Sequence, residues 1–168
     1  MSDVAKICNG SDHKHMEDGN IPVYGSGGIM RFANKAVYNK PSVLIPRKGS
    51  IGNLFYVDKP FWTVDTAFYT KIDDTQIVPK FLYYVLQTKD IEKLNTAGGV
   101  PSLTQSVLNK TDIQLPSLEE QKYIVDVLDR FDILVNDISQ GLPAEIAARR
   151  QQYEFFRDKL LTFKEVSA

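Results

Sequence analysis

The stretch LPSLEEQKYIVDVLDRF, Leu115 to Phe131, decides the fold, because the character of the chain changes within it. Ser117 and Glu120 have the spacing of a capping box, in which a hydroxyl and a carboxylate satisfy backbone N–H groups at the start of a helix. The spacing therefore predicts a helix that starts at this point. We place the domain boundary just before it, between a domain of residues 1–115 and a helical extension of residues 116–168.

Beyond the capping box, apolar residues recur in alternating steps of three and four, which is typical of the seam of a coiled coil. The phase changes around Gly141 and Pro143, and this predicts a kink or short break in the helix. A lone helix cannot bury such a stripe, so we expect a partner helix; the alternative that the helix folds back on its own domain stays open. The predicted interface residues are Phe131, Val135, Ile138, Leu142, Ile146, Tyr153, Phe156 and Leu160.

The first 115 residues have a different pattern, in which short apolar runs are broken by glycine, proline and asparagine. This pattern is typical of strands joined by turns. Pro79, at a first helical position, and the stripe that follows it predict one helix, and a second short helix is predicted near Thr104. We therefore expect an α+β domain with a small mixed or antiparallel sheet. The predicted strands are Ile21–Tyr24, Ala36–Tyr38, Ser42–Pro46, Leu54–Val57, Ala67–Ile72 and Ile113–Leu115.

The composition indicates an ordered, globular chain. Of its 168 residues, 43% are hydrophobic and 24% are charged, which is enough to build a core. No apolar run reaches the ~18 residues of a membrane span, and the first ten residues lack the apolar core of a secretory signal, so we expect a cytoplasmic protein. Cys8 is the only cysteine, which excludes an internal disulfide and a zinc site built from several cysteines.

The net charge of −1 hides an uneven distribution. Residues 1–114 carry 13 Lys or Arg against 11 Asp or Glu, whereas the remainder is acidic. This bias permits a basic face on the first domain. Motifs for amino-methyl transfer, for a phosphate-binding Walker loop and for a His-Glu-x-x-His metal site are missing from the sequence. We therefore expect no catalysis, no bound cofactor and no metal in this chain.

Five segments together resemble a known family. They are IPVYGSGG (Ile21–Gly28), LIPRKGSIG (Leu44–Gly52), FWTVDT (Phe61–Thr66), PSLT (Pro101–Thr104) and LPSLEEQ (Leu115–Gln121). In this order they resemble the specificity subunit of type I restriction-modification enzymes, over almost the whole chain. The resemblance implies a target-recognition domain that reads double-stranded DNA, followed by a long helix.

Complete subunits of that family carry two recognition domains, each followed by a helix, and the helices pack antiparallel as a spacer. This chain has one of each, so the resemblance implies a half-subunit whose two copies could pair through their helices as a homodimer. Such a dimer would read a bipartite, palindromic site. The resemblance also implies partners: modification subunits that bind S-adenosylmethionine and restriction subunits that use ATP and Mg²⁺. Whether Tyr153, Phe156 and Leu160 contact the modification subunits or a partner helix stays open.

Within this interpretation, the residues expected to contact DNA lie on predicted loops. Arg47, Lys48 and Ser50 follow a strand beside glycine; contact with the DNA backbone and an ordinary charged turn are both open. The turn around Ser26 could cradle a phosphate, although a tight turn between strands is the favoured interpretation. Base contacts require paired donors or acceptors in the major groove. The candidates for base contact are Arg31, Asn34, Lys35, Asn53 and Gln105.

Two rival functions remain open. A small nuclease would require clustered carboxylates that converge on a metal ion. A coiled-coil adaptor or decoy would bind modification subunits through the helix without reading DNA. His13 and His15 could contact phosphate, and a metal role for them would need further ligands.

Overall fold

The computed structural model describes residues 1–95, 99, 101–132, 150–152 and 155. The chain divides into two units, Met1–Val125 and Asp126–Ala168. The first unit is α+β, as predicted. It extends beyond residue 115 because Ile124 and Val125, from the beginning of the predicted helix, pack against its main core. The assignment of residues 1–115 as a recognition domain and of residues 116–168 as a pairing helix stays a prediction.

The larger sheet of the first unit consists of four antiparallel strands, β1 (Ala5–Asn9), β4 (Ser42–Pro46), β5 (Phe55–Val57) and β7 (Ala67–Ile72). Their order in the sheet is β1-β7-β4-β5. Every residue of β4 is buried, which fits its central run of β-branched and aliphatic residues.

The smaller sheet has three strands in the order β3-β2-β6. The strands are β2 (Asp18–Gly25), β3 (Gly28–Ala33) and β6 (Trp62–Thr63). The strands β2 and β3 form a hairpin whose tip is the glycine-rich turn, with Gly25 opposite Gly28. The strand β6 runs parallel to β2, so this sheet is mixed.

The predicted strands agree with the structure where apolar runs are longest. The ranges predicted for β4 and β7 are confirmed, and those for β2 and β5 overlap the observed strands. The prediction of a strand at Ala36–Tyr38 is wrong, because Tyr38 makes only a single bridge to Phe61. The prediction at Ile113–Leu115 is also wrong: these residues form a loop, and Ile113 packs against the core without a strand partner.

Three observed strands, β1, β3 and β6, were not predicted from the sequence. The strand β1 has too short a pattern to be distinguished from a loop, and β6 has two residues. The strand β3 lies at the edge of its sheet and exposes Ile29, Met30 and Phe32, so it lacks the alternation that marks a half-buried strand.

The predicted helices of the first unit are present. The helix α1 (Pro79–Gln87) starts at its proline, and α2 (Gln105–Asn109) follows Thr104, whose hydroxyl accepts a hydrogen bond from the Val107 N–H. Between them lies a 3₁₀ turn, Ile91–Leu94. A third helix, α3, includes residues 118–132, and residues 150–152 are also helical.

The predicted capping box at the start of α3 is confirmed. The Ser117 N–H donates to Glu120 Oε2 at 2.9 Å, and the Glu120 N–H donates to Ser117 Oγ at 3.3 Å. The Ser117 hydroxyl also donates to the same carboxylate at 2.8 Å. These hydrogen bonds lower the pKa of Glu120, the side-chain bond from Ser117 being the largest cause. The carboxylate is therefore the form that caps the helix.

The two faces of the larger sheet form separate cores. One face packs against α1, α2 and the first turns of α3, and its centre includes Val43, Ile45 and Leu82. The other face carries an aromatic cluster around Phe61, whose ring meets Tyr38 and Tyr69 edge to face at centroid distances of 6.2 and 6.0 Å. The larger sheet is thus buried on both sides.

Most of the predicted helix interface lies outside the described residues. Among its members Phe131 is described, and it is helical and 59% exposed. The predicted kink at Gly141 and Pro143 lies in the same undescribed part. The other predicted interface residues outside the described ranges are Val135, Ile138, Leu142, Ile146, Tyr153, Phe156 and Leu160. In the described ranges, no helix combines the length and the apolar character needed to cross a membrane.

Candidate nucleic-acid interface

The segment after β4 forms the centre of a polar surface. The Arg47 N–H donates to the Thr66 carbonyl at 2.9 Å, and the Arg47 carbonyl accepts from the Leu103 N–H at 2.9 Å. Lys48 and Ser102 form a backbone bridge. The start of β7, the end of β4 and the segment before α2 are therefore held together at one end of the larger sheet.

Six of the predicted contact residues lie at this end. Ser26 is near it, because a Cβ atom on Gly49 would lie 3.7 Å from Ser26 Oγ. The Asn53 N–H donates to the Ser50 carbonyl at 3.2 Å, so both belong to one loop. We call this surface the basic edge; it consists of Ser26, Arg47, Lys48, Ser50, Asn53 and Gln105, together with Asn9, which Gln105 contacts.

Two glycines determine the backbone here. Gly49 has a φ of +76° and Gly28 has a φ of +114°, a region that residues with a Cβ rarely adopt. Gly49 allows the chain to turn between Lys48 and Ser50 while the Gly49 N–H donates to the Pro101 carbonyl at 3.1 Å. The turn keeps both flanking side chains exposed.

Arg47 has an unusual environment for a cation. Its guanidinium carbon lies 5.2 Å from the centroid of the Phe68 ring, a cation–π arrangement, and its Nε is buried without a hydrogen-bond partner. Phe68 itself is buried in the core. The stem of Arg47 is thus held in place, and its charge is not neutralised by a carboxylate. Across the part of the chain that the structure describes, neither Arg47 nor Lys48 forms an ion pair.

The other three predicted contact residues lie elsewhere. Arg31 pairs with Asp18 at 2.6 Å, and Asn34 Nδ2 donates to Glu17 Oε2 at 3.1 Å. Both are on or beside the hairpin, away from its tip, and Lys35 is exposed next to them. The structure does not bring these three residues to the basic edge. Two of them, Arg31 and Asn34, instead bind carboxylates of Asp18 and Glu17.

A cleft of about 810 Å³ borders the basic edge. It is lined by residues 12–14, 25–30 and 64–66, so Ser26 belongs to both surfaces. Asp12 accepts hydrogen bonds from the backbone N–H groups of His13 at 2.8 Å and Lys14 at 3.2 Å. The bond from Lys14 is the largest cause of a lowered pKa for Asp12. Asp12 therefore stabilises a turn of the backbone. Over the described ranges, no cluster of His, Cys, Asp and Glu is arranged to bind a metal.

Asn9, in the basic edge, and Ser102, which pairs with Lys48 beside it, were not among the predicted contact residues. Asn9 ends β1, a strand that was not predicted, so nothing marked it as an edge position. Ser102 was quoted within a motif, but its pairing with Lys48 depends on a contact between segments that are distant in the chain. No local signal could have found this pairing.

Comparison with known proteins places this fold among described families. A family model described as "Type I restriction modification DNA specificity domain" matches residues 1–148. The chain is 38% identical over 96 residues to the EcoR124I/EcoR124II type I restriction enzyme specificity subunit of Escherichia coli, covering 55% of this chain and 24% of that protein. It is 30% identical over 115 residues to the MpnII type I restriction enzyme specificity subunit of Mycoplasma pneumoniae, covering 68% and 35%.

A solved structure has the same fold. It is the crystal structure of the type I restriction-modification system S subunit from M. genitalium, with a TM-score of 0.70 and 20% sequence identity. The match covers 98% of this chain and 45% of that one. The chain thus spans less than half the length of each of these three proteins.

Proposed function

Because the chain belongs to the family of type I restriction modification DNA specificity domains, we propose that it recognises a sequence in double-stranded DNA as half of a specificity subunit. The chain itself is not an enzyme. It directs methyltransferase and endonuclease subunits to a bipartite site, of which it reads one half. S-adenosylmethionine, ATP and Mg²⁺ are bound by the partner subunits, and this chain binds none of them.

The observation that carries the proposal is the basic edge. Arg47 and Lys48 are two neighbouring cations on a fixed turn without carboxylate partners, next to small residues that would not block a duplex. Neutralisation of phosphates by Lys and Arg supplies most of the affinity in DNA binding. Elsewhere in the domain the comparable cation Arg31 is neutralised by Asp18. The basic edge is therefore the surface best suited to meet a phosphate backbone.

Base recognition requires groups beside the phosphate contacts that reach into a groove. Ser26, Asn53 and Gln105 surround the two cations and carry hydroxyl or amide groups that can hydrogen-bond to base edges. The glycine-rich hairpin tip at Ser26 leaves space for close approach of the backbone to DNA. Arg31, Asn34 and Lys35 have a secondary role in this proposal, because two of them are engaged by carboxylates.

The helical extension supplies the second part of the proposed function. Exposed aromatic residues lie on α3, with Tyr123 70% and Phe131 59% exposed. Together with the apolar stripe that the sequence predicts downstream, they favour a partner for this helix. We propose that α3 continues as the long helix predicted from the sequence, pairs with a second copy in an antiparallel coiled coil, and sets the spacing between two half-sites. Modification and restriction subunits would dock on the resulting dimer.

Selection of bound duplexes from a random pool tests DNA recognition directly. The chain is assembled with a modification subunit of a type I system, and the enriched sequences are determined with and without that subunit. Enrichment of a bipartite, palindromic motif is expected. Recovery of the modification subunit without any enriched sequence would instead indicate an adaptor or decoy, and would overturn the proposal.

The role of the basic edge is tested by the salt dependence of binding. The variant Lys48→Ala should reduce the slope of log K against log salt by about 0.9, the value of one lost phosphate contact. Lys40→Ala is a matched control, because Lys40 is exposed and lies just before β4, at the end opposite to Lys48. Equal slopes for the wild type, Lys48→Ala and Arg47→Ala would show that the basic edge does not contact the DNA backbone.

Sedimentation tests the proposed pairing of helices. A homodimer is expected at micromolar protein concentration, with or without DNA. A stable monomer under both conditions would contradict the coiled-coil part of the proposal and leave DNA recognition by the domain to be judged separately.

A further inference from the structure

Two amide side chains meet on the basic edge although they are 96 positions apart in the chain. Gln105 Nε2 donates a hydrogen bond to Asn9 Oδ1 at 3.2 Å. Asn9 is the last residue of β1 and is exposed, and Gln105 is the first residue of α2 and is half-buried. The two side chains therefore hold each other at the surface.

Both residues stand on parts of the backbone that are fixed by neighbours. The Thr104 hydroxyl caps α2, and the Leu103 N–H donates to the Arg47 carbonyl, so the position of Gln105 is tied to the cation beside it. Asn9 pairs with Phe68 in the larger sheet, and the next residue, Gly10, donates to the Ala67 carbonyl at 3.2 Å. A pair on rigid elements is more precise than one on free loops.

The contact leaves specific groups available to a ligand. Gln105 keeps its carbonyl oxygen and one amide N–H, and Asn9 keeps both N–H groups of its amide. An acceptor and donors are thus presented side by side. Adenine offers the complementary pattern in the major groove, with the N6 amino group as a donor and N7 as an acceptor. Within the described residues, the amides of Asn9 and Gln105 make no side-chain hydrogen bond other than the one to each other. The remaining amide N–H and carbonyl groups are therefore unoccupied.

We propose that Asn9 and Gln105 act together as a reader of one adenine in the half-site, flanked by phosphate contacts from Arg47 and Lys48. The proposal rests on the proposed function, because it requires the basic edge to face DNA. The contact between the amides fixes the orientation of Gln105 before DNA arrives. Each residue is therefore needed for discrimination at the same base pair.

The experiment uses the assembled complex of the chain with modification subunits. Binding is measured by fluorescence anisotropy to the preferred duplex and to every single-base substitution of one half-site. Asn9→Ala and Gln105→Ala are each expected to lose about ten-fold or more of the discrimination at one and the same position. The double variant should lose no more than either single one, because the pair acts as a unit.

Two further variants keep the test independent of folding. Gln105→Glu replaces the amide donor with an acceptor, and it should shift the preference at that position from adenine to cytosine, whose amino group donates. Gln114→Ala is the matched control, since Gln114 is exposed in the loop before α3 and lies outside the basic edge. It should leave the whole profile unchanged.

The outcomes separate this inference from the proposed function. Full discrimination retained in both alanine variants, or an equal loss of affinity for every duplex, would overturn the amide reader while leaving sequence-specific binding intact. Loss at two different positions would overturn the paired action. A wild-type complex without preference among duplexes would overturn the proposed function itself.

Discussion

Two polar regions of the domain differ in how their groups are satisfied. At the junction of α1 and α3, Gln121 is fully buried, and its amide serves three backbone groups: the Val78 N–H at 2.8 Å, the Pro116 carbonyl at 3.0 Å and the Gln76 carbonyl at 3.2 Å. At the basic edge, Arg47 has a buried Nε without a partner, and Lys48 is exposed. Both regions contain polar side chains, but the amide of Gln121 has its hydrogen-bond partners whereas Arg47 Nε has none.

A similar satisfied site lies between β4 and β7. The Ser42 hydroxyl accepts from the Thr70 N–H at 3.0 Å, and Thr70 Oγ1 accepts from the Val43 N–H at 2.8 Å. These side chains continue the strand pairing where the backbones cease to bond to each other directly. Satisfied buried groups stabilise a fold, whereas a cation that has no carboxylate partner, such as exposed Lys48, is available to a ligand. Gln121 and Thr70 therefore maintain the structure, whereas the cations of the basic edge are available for binding.

The largest effect on stability is expected at Gln121. The variant Gln121→Ala removes three hydrogen bonds to part-buried backbone groups, each contributing about 1 kcal/mol, so the free energy of unfolding should fall by about 3 kcal/mol. Urea unfolding measures it, with Gln114→Ala as the exposed control, expected within about 0.5 kcal/mol of the wild type. A loss below 1 kcal/mol for Gln121→Ala, about the net value of a single hydrogen bond, would show that this junction is not a structural element.

A somewhat smaller loss is expected between the strands. Thr70→Val keeps the shape of the side chain but removes the hydroxyl that bonds to both backbone groups of Val43. The free energy of unfolding should fall by about 2 kcal/mol, because these groups stay buried. DNA affinity at a temperature where the variant is folded should be unchanged. A large loss of DNA affinity in the folded variant would show that Thr70 is not a purely structural residue.

The glycine of the basic edge should combine a modest loss of stability with a loss of binding. Gly49→Ala places a Cβ at a φ of +76°, which costs roughly 1 kcal/mol, and moves Lys48 and Ser50 from their positions. Lys40→Ala is the control, because Lys40 is exposed and lies outside the basic edge. Thermal unfolding and DNA titration of both variants check the prediction. Equal affinity for the two variants would mean that the turn does not position the cations.

The smallest effect concerns the capping box of α3. The pKa of Glu120 is lowered in the folded state, so its contribution to stability is present above the ordinary glutamate pKa and is lost as the pH falls through the lowered value. The difference in Tm between the wild type and Glu120→Ala should be small at pH 7 and should vanish well below pH ~4. A difference that persists in acid would indicate that the carboxylate does not act through its charge.

Much of the fold could be predicted because it depends on neighbours in the chain. The capping box requires only Ser117 and Glu120, three residues apart, and β4 and β7 are continuous runs that favour a strand. The strand β3 was missed because an edge strand need not alternate, and Ala36–Tyr38 was predicted wrongly because an apolar run can pack as a loop.

The candidate site was predictable in part. The motif containing Arg47, Lys48 and Ser50 stood out because two adjacent cations follow a predicted strand and lie beside small residues that cannot block a duplex. The sequence could not show that Arg31 is engaged by Asp18, because that ion pair depends on the register of the hairpin. It also could not indicate Asn9, which becomes part of the site only through its contact with Gln105.

The sequence by itself determined the α+β class, the start of α3 and the identity of the two cations, since each of these depends on residues within a few positions of one another. Only the tertiary structure decided which polar groups are satisfied and which are available. Gln121 meets Val78, Lys48 meets Ser102 and Gln105 meets Asn9 across long stretches of chain. Such pairings follow from the order of strands and the packing of helices on them, which local propensity does not encode.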